Sequence, residues 1–246
     1  MIQKITSLTQ NLNKIAHSKE FNNTLPILLK ILKKEGKDLY SIKIGNITQQ
    51  TKSLKELQVG ARYFATISKS STETTLISNL TPYPKGLNSL MESAPLRLKS
   101  NELKTILQDD KTLNQWKDHL IQEFLTAQNK SGFLFYGNML LGLQKNIFNF
   151  IVDENAHQKI LQIKTKKNLP KLEFYALFPN LGGISGFVWL EDQQLHLSLQ
   201  TQFRSVQTLL QRNINQLKAF ERIEIIYNDN LSPLFCFEDH LLNLKI

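Results

Sequence analysis

Between residues 172 and 227 the spacing of apolar side chains changes from two to a helical period and back to two. Few folds accommodate that order. Leu172, Phe174, Ala176 and Phe178 alternate as on a half-buried strand. Pro179-Asn180-Leu181-Gly182-Gly183 breaks the run, and residues 184–190 resume it as a second strand. Residues 191–194 offer a hairpin turn, after which Leu195, Leu197 and Leu199 alternate in a returning strand. Phe203, Val206, Leu209, Leu210, Ile214, Leu217 and Phe220 then fall on one helical face, with Arg204, Gln207, Gln211, Arg212 and Lys218 elsewhere. Residues 222–227 read as a closing strand. A helix packed on one face of a short mixed sheet satisfies this pattern, so the fold class expected is α+β. Upstream, from residue 133 onward, strands are expected: Phe148, Phe150 and Val152 alternate, and residues 160–164 follow.

The first part of the chain reads differently. Ile2, Ile5, Leu8, Leu12 and Ile15 have helical steps. A second helix is expected over residues 27–35, with Asn23-Thr24 as its cap, Pro26 in its first turn and Gly36 as its stop. Strands are expected over 39–44, 47–51, 57–67 and 74–80, with Gly45-Asn46 as a tight turn between the first two. Four short strands imply a small barrel-like or curled sheet. Residues 81–86 carry Pro82, Pro84 and Gly86 and read as a linker. Residues 88–129 are expected to be helical, with stripes at Leu103, Ile106, Leu107 and at Leu113, Trp116, Leu120, Ile121, Phe124, Leu125. The organisation expected is residues 1–86 as N-terminal helices and a small basic β domain, 87–131 as a helical linker, and 132–246 as the α+β domain.

A hydrophobic content of 41 % supports a buried core. The single cysteine, Cys236, can form no internal disulfide, which suits a reducing compartment, and its apolar neighbours suggest a buried, inert thiol. No run of about 18 apolar residues is present, so no membrane span is expected. The N-terminus lacks the apolar core of a secretory signal. The expected location is the cytoplasm, with export through another route left open. The net charge of +9 is uneven: residues 1–86 hold 13 Lys/Arg against 5 Asp/Glu, residues 87–129 hold 5 against 6, and residues 130–246 hold 12 against 10. The basic first third could steer an acidic partner or a nucleic acid.

Sites of chemistry are sparse. His17, His119, His157, His196 and His240 lack metal-ligand spacing, and exposure is expected for His196 on the polar side of its strand. The acidic pairs Asp109-Asp110, Asp153-Glu154, Glu191-Asp192 and Glu238-Asp239 read as turn and solvation features. No Gly-rich phosphate loop precedes a helix. No catalytic, cofactor or metal site is therefore expected, and the chain reads as non-enzymatic. Three sets of residues suggest binding. Leu181, Gly182 and Gly183 form either a partner-binding loop or a turn that needs a positive φ. Phe187 and Trp189 share the strand face away from the helix, and are either covered by upstream strands or left as an apolar patch. Lys30, Lys33, Lys34 and Lys37 form either a solvated helical face or a basic surface. The latter, with Tyr40, Tyr63 and Phe64 nearby, would suit nucleic acid.

Residues 172–190, with the Leu181-Gly182 pair between two alternating strands, resemble the signature of flagellar hook-length control proteins. The match continues through a third strand at 195–201, a helix with Leu209-Leu210 and a last strand at 223–227. It covers roughly residues 133–229. The resemblance implies a substrate-specificity-switch domain that docks on the cytoplasmic domain of the flagellar export-gate switch protein in type III secretion. In that family the N-terminal half is a long, exported length gauge. Residues 1–86 depart from it, since they read as folded and are short against the hundreds of residues, at about 3.3 Å each, that a gauge needs. Binding of nucleic acid by the basic N-terminal part is the alternative expectation.

Overall fold

The computed structural model describes residues 2–16, 25–69, 75–84, 86–87, 94–154, 157–165 and 170–237. It contains five α-helices and eleven strands in these residues: α1 (Ile2–Ala16), β1 (Ile27–Lys34), β2 (Leu39–Ile44), β3 (Ile47–Lys52), β4 (Arg62–Lys69), β5 (Thr75–Pro82), α2 (Ser100–Ile106), α3 (Asp110–Leu125), α4 (Lys130–Gln144), β6 (Ile147–Glu154), β7 (His157–Thr165), β8 (Lys171–Phe178), β9 (Gly182–Glu191), β10 (Gln194–Thr201), α5 (Arg204–Arg212) and β11 (Arg222–Tyr227). The fold is α+β, as the change of period implies.

The strands form two sheets. β3-β2-β1-β4-β5 is antiparallel throughout. Its edge strands β3 and β5 approach each other without pairing, so the sheet is curled and not closed into a barrel. Leu29, Ile31, Tyr40, Ile42, Leu57 and Ala65 form its small core. The second sheet runs β11-β10-β9-β8-β7-β6 and is mixed, because β11 returns parallel to β10 after α5. The β9–β10 hairpin turns at Asp192-Gln193, both at positive φ (48° and 64°), the geometry that matches strand twist in a two-residue turn.

Helices cover one face of the six-stranded sheet. On that face Trp116 of α3 packs on Phe150 with ring centroids 4.9 Å apart. α5 lies over β10 and β11, where Leu197, Leu199 and Ile225 are buried against Val206, Leu209 and Leu210. α1 meets α2, α5 and β8, burying Ile5, Leu8 and Leu12. Near β6 the opposite face is also covered. Gln162 bridges Asn149 and the C-terminal segment: its Nε2 donates to Asn149 Oδ1 (2.8 Å) and to Phe235 O (2.7 Å), and its Oε1 accepts from Phe235 N (3.2 Å). This amide acts as one rung of a ladder, and it lays Phe235 and Phe237 across the sheet. Gly86 permits that path, since a Cβ there would sit 2.5 Å from Phe237 O.

Several expectations change. Residues 27–34 are strand β1 and not a helix: Leu29 and Ile31 point into the curled sheet while β2 and β4 pair on both sides. The run Ile-Leu-Leu-Lys-Ile-Leu satisfies either period, and pairing on both edges overrides its helix propensity. The cap foreseen at Asn23-Thr24 lies outside the described residues. Residues 130–144, expected to begin the strand region, are helix α4. Asn129 caps it by accepting from Gly132 N at 2.8 Å. Gly142 then lets β6 approach so closely that a Cβ there would meet the Asn149 amide. The helix expected over 203–220 ends at Arg212 and continues as one 3-10 turn; Asn213 donates its side-chain N–H to Leu209 O. Phe203, Leu217 and Phe220 are nevertheless buried. In α3, Ile121 and Leu125 are exposed where burial was expected. Cys236 is exposed between the buried Phe235 and Phe237 because the strap is extended and alternates.

One main core contains Leu8 of α1, Phe64 of β4, Tyr83, Leu87, Trp116 of α3 and Leu209 of α5, so it draws on all three sequence segments. Tyr83 and Tyr175 are buried in it, and burial holds both phenols neutral well above the usual tyrosine range. Their stabilising contribution is full below about pH 10, where the unfolded chain keeps its phenols protonated, and is lost as pH rises beyond that. Equilibrium unfolding above pH 10 should therefore lose about 1.4 kcal/mol per pH unit for each tyrosine. Tyr83→Phe and Tyr175→Phe should each remove their share of that slope, measured by urea unfolding at stepped pH.

Candidate functional site

The face of the six-stranded sheet opposite α1, α2, α3 and α5 is covered near β6–β8 and open toward β9–β11. Register aligns two rows across the open part. Lys171, Trp189, His196 and Arg222 form one, and Glu173, Phe187, Ser198 and Glu224 form the next. Phe187 and Trp189 are half-buried on this face. Trp189 stacks on His196 with centroids 5.3 Å apart and planes 23° apart. Its indole N–H donates to Glu191 Oε2 at 3.3 Å, and the same carboxylate oxygen lies 4.0 Å from His196 Nε2. His196 Nδ1 is buried and has no hydrogen-bond partner among the described residues. The Lys171 ammonium sits 4.1 Å from the Phe187 ring centroid, a cation–π contact worth about 0.5–1 kcal/mol at a solvent-facing site. Pro170, Lys171, Phe187, Trp189, Leu190 and Ser198 frame a shallow depression of 400 Å³ between them.

The arrangement suits binding. Two half-buried aromatic rings are pre-positioned by their contacts with His196 and Lys171, with Arg222, Glu173 and Glu224 in the same two rows. Aromatic anchors of this kind dominate the energetics of protein interfaces, because they bury large area at low entropic cost. Of the residues picked from sequence, Phe187 and Trp189 meet here. His196 joins them as a stacked side chain and not as the exposed one expected, since the Trp189 ring lies over it. Lys171, Arg222 and the acids beside them were not singled out. Their signal was the pleat itself, because residues directly opposite across paired strands share a face.

Leu181, Gly182 and Gly183 are placed elsewhere. Leu181 is fully buried, and both glycines are enclosed. Gly182 has φ +70°, and a Cβ on it would lie 2.5 Å from the Phe203 ring. Only glycine takes this conformation without strain and leaves that space free. The loop thus seats the start of α5.

The lysines do not form a helical face. Lys30, Lys33 and Lys34 lie on β1, and Lys37 lies in the turn after it. Lys33 Nζ is 3.4 Å from Glu35, and Lys34 Nζ is 3.2 Å from Glu56. The hydrogen bond to Glu56 raises the Lys34 pKa, with the nearby Tyr40 adding to it. Asp109 accepts from Thr112 N and Oγ1 as the cap of α3, and these bonds lower its pKa. His119 lies 3.9 Å from Glu123 one turn along the same helix. Among the described residues no group of three or more His, Cys, Asp or Glu side chains converges, and no helix is long and apolar enough to cross a membrane. His17, His240 and Glu238-Asp239 lie outside the described residues.

No family model matches this chain, and no curated protein matches it. Among solved structures, pol III beta of Caulobacter crescentus aligns with 11 % identity and a TM-score of 0.12, over 78 % of this chain and 60 % of that one. The chain thus spans less than two thirds of that structure's length, and a likeness at this level carries no argument about fold or function.

The two tryptophans should respond differently to substitution. Trp116 is buried against Phe150, so Trp116→Ala should cost about 3–5 kcal/mol. Trp189→Ala, on the open face, should cost about 1 kcal/mol. Urea unfolding of each variant measures both, and a cost for Trp189→Ala equal to that of Trp116→Ala would mean the open face is packed.

Proposed function

We propose that this chain is a non-enzymatic interaction component of the flagellar type III export apparatus, related to hook-length control proteins, and that it docks on the cytoplasmic domain of the export-gate switch protein. One observation carries the reading. β8, the Leu181-Gly182 turn, β9, β10, α5 and β11 follow one another in the order of that family's switch domain, with the Phe203 ring at the start of α5 packed on Gly182. The open row at Phe187 and Trp189 supplies a docking face on the same unit. The location that goes with this reading is the cytoplasm, at the entrance of the export apparatus.

Titration calorimetry of the full chain against the purified cytoplasmic domain of an export-gate switch protein tests the reading. Binding is expected, and Phe187→Ala with Trp189→Ala should weaken it about 30-fold, as loss of about 2 kcal/mol at an interface anchor does. Thermal unfolding of the double variant should confirm that it folds. Absence of binding by the unsubstituted chain would sink the proposal.

A second reading, nucleic-acid binding through residues 1–86, has a curled, basic, five-stranded antiparallel sheet in its favour. The pairing of Lys33 and Lys34 with Glu35 and Glu56 weighs against it. It predicts a gel shift of a single-stranded oligonucleotide at low salt that fades steeply as salt rises. No shift at low salt would remove it.

A further inference from the structure

We propose that the cleft between the two sheets is a docking groove for an extended peptide segment in which acidic and apolar residues alternate. The cleft has a volume of 970 Å³ and lies between the end of β3 and the loop after it, strands β4 and β5, the start of α5 and the end of β11. Pockets for small molecules span about 300–1,000 Å³. This one is at the upper end of that range and is built from five separate elements, β3 with its loop, β4, β5, α5 and β11, which suits a length of chain better than a compact ligand.

The charges are one-sided. Lys52 and Lys55 enter from the curled sheet and Arg204 from the other, against Asp229 as the one acid among the described residues of the lining. Arg204 is held in place, its guanidinium 4.3 Å from the Tyr227 ring centroid. α5 begins there with no acidic residue in its first turn and no side-chain cap, so its dipole adds to the same positive field. Neighbouring cations brought together by folding raise one another's energy, and an anionic occupant relieves that cost.

The apolar part of the lining narrows the ligand class. Leu54 stands between the two lysines and is 99 % exposed. Ser53 Oγ donates to Lys55 O at 2.8 Å, so the loop that presents Leu54 is braced from within. Ile77 and Leu80 of β5 line the wall beyond. A bare anion would leave this apolar surface unused. A single-stranded nucleic acid would need open aromatic faces for its bases. Of the two aromatic residues in the lining, Phe203 is buried and Tyr227 already carries Arg204 on its ring. A peptide that sets carboxylates at Lys52, Lys55 and Arg204 and apolar side chains at Leu54 and Leu80 meets both demands. In an extended chain such side chains point alternately to opposite sides, which matches a groove with a basic rim and an apolar wall.

The test uses the full chain and a fluorescein-labelled octapeptide of alternating Glu and Leu, followed by anisotropy. Competitors are an alternating Glu-Ser octapeptide, an alternating Lys-Leu octapeptide and octathymidylate. The Glu-Leu peptide should bind, and more weakly as salt rises. The Glu-Ser peptide should bind about tenfold more weakly, and the Lys-Leu peptide should not compete. Lys55→Glu with Arg204→Glu should reduce Glu-Leu affinity at least about tenfold with an unchanged unfolding temperature, while Lys218→Glu, outside the cleft, should leave it unaltered. Should the double variant unfold early, Lys52→Gln with Lys55→Gln, at the exposed end of β3 and in the loop after it, reads the same loss. No binding, equal binding by a folded cleft variant, or displacement of the peptide by octathymidylate at lower concentration than by Glu-Ser would overturn the proposal. None of these outcomes depends on the export-gate switch protein, so this groove and the Phe187–Trp189 face stand or fall separately.

Discussion

The Phe203 ring packs over the backbone of Gly182, where no Cβ would fit, and edge-on to Phe64 of the curled sheet at 6.2 Å between centroids. Phe64 in turn stacks on Tyr83 at 5.6 Å. Three stretches of chain that are remote in sequence therefore meet at one side chain: the β8–β9 turn, the start of α5 and the N-terminal sheet. Thr201 strengthens the junction by donating its hydroxyl to Phe203 O while fully buried. Were the ring displaced, α5 would lose its starting point and the two sheets their common contact. The cleft between the sheets exists because this junction ties them at one place and leaves the space beside it open.

The six-stranded sheet shows how coverage determines which residues are available to a partner. Near β6–β8 both of its faces hold buried large side chains, Phe150 and Phe174 on one and Ile160 and Tyr175 on the other. On one side the cover is helical, through α1, α2, α3 and α5. On the other it is the C-terminal strap, held by the Gln162 amide as a strand would be held by its neighbour. The described part of the strap crosses near β6–β8, so Phe187, Trp189 and their polar neighbours lie beyond it. An aromatic pair that would be core under a longer cover is instead a surface row. The Leu98 backbone meanwhile pairs with Ile151 and Asp153 and closes the β6 edge, which would otherwise invite another strand.

The limits of sequence reading fall at particular residues. Alternation over Leu172–Phe178 and over Leu195–Leu199 identified β8 and β10 because each has one face against apolar side chains. The run at 27–34 failed the same test: with leucine, isoleucine and lysine at both periods it carries no facial signal, and its state depends on whether β2 and β4 arrive to pair with it. α4 was missed because three glycines and an apolar surface all round give no stripe, and its burial on two sides removes the need for one. Cys236 was misjudged because an apolar run implies burial of every member only in a helix or a fully enclosed strand. In an extended strap every second residue faces out.

The order of β8 to β11, the tight turn at Gly45-Asn46, the hairpin at residues 191–194 and the helix that follows β10 were determined by the sequence alone, because each depends on the polarity pattern of a few consecutive residues. The tertiary structure decided what that pattern does not encode: which half of a sheet face the strap reaches, that Trp189 stacks on His196 instead of packing inside, and that Lys52, Lys55 and Arg204 face one space. These are relations between distant segments. They are set by which surfaces bury one another, and a local pattern holds no record of that until the chain has packed.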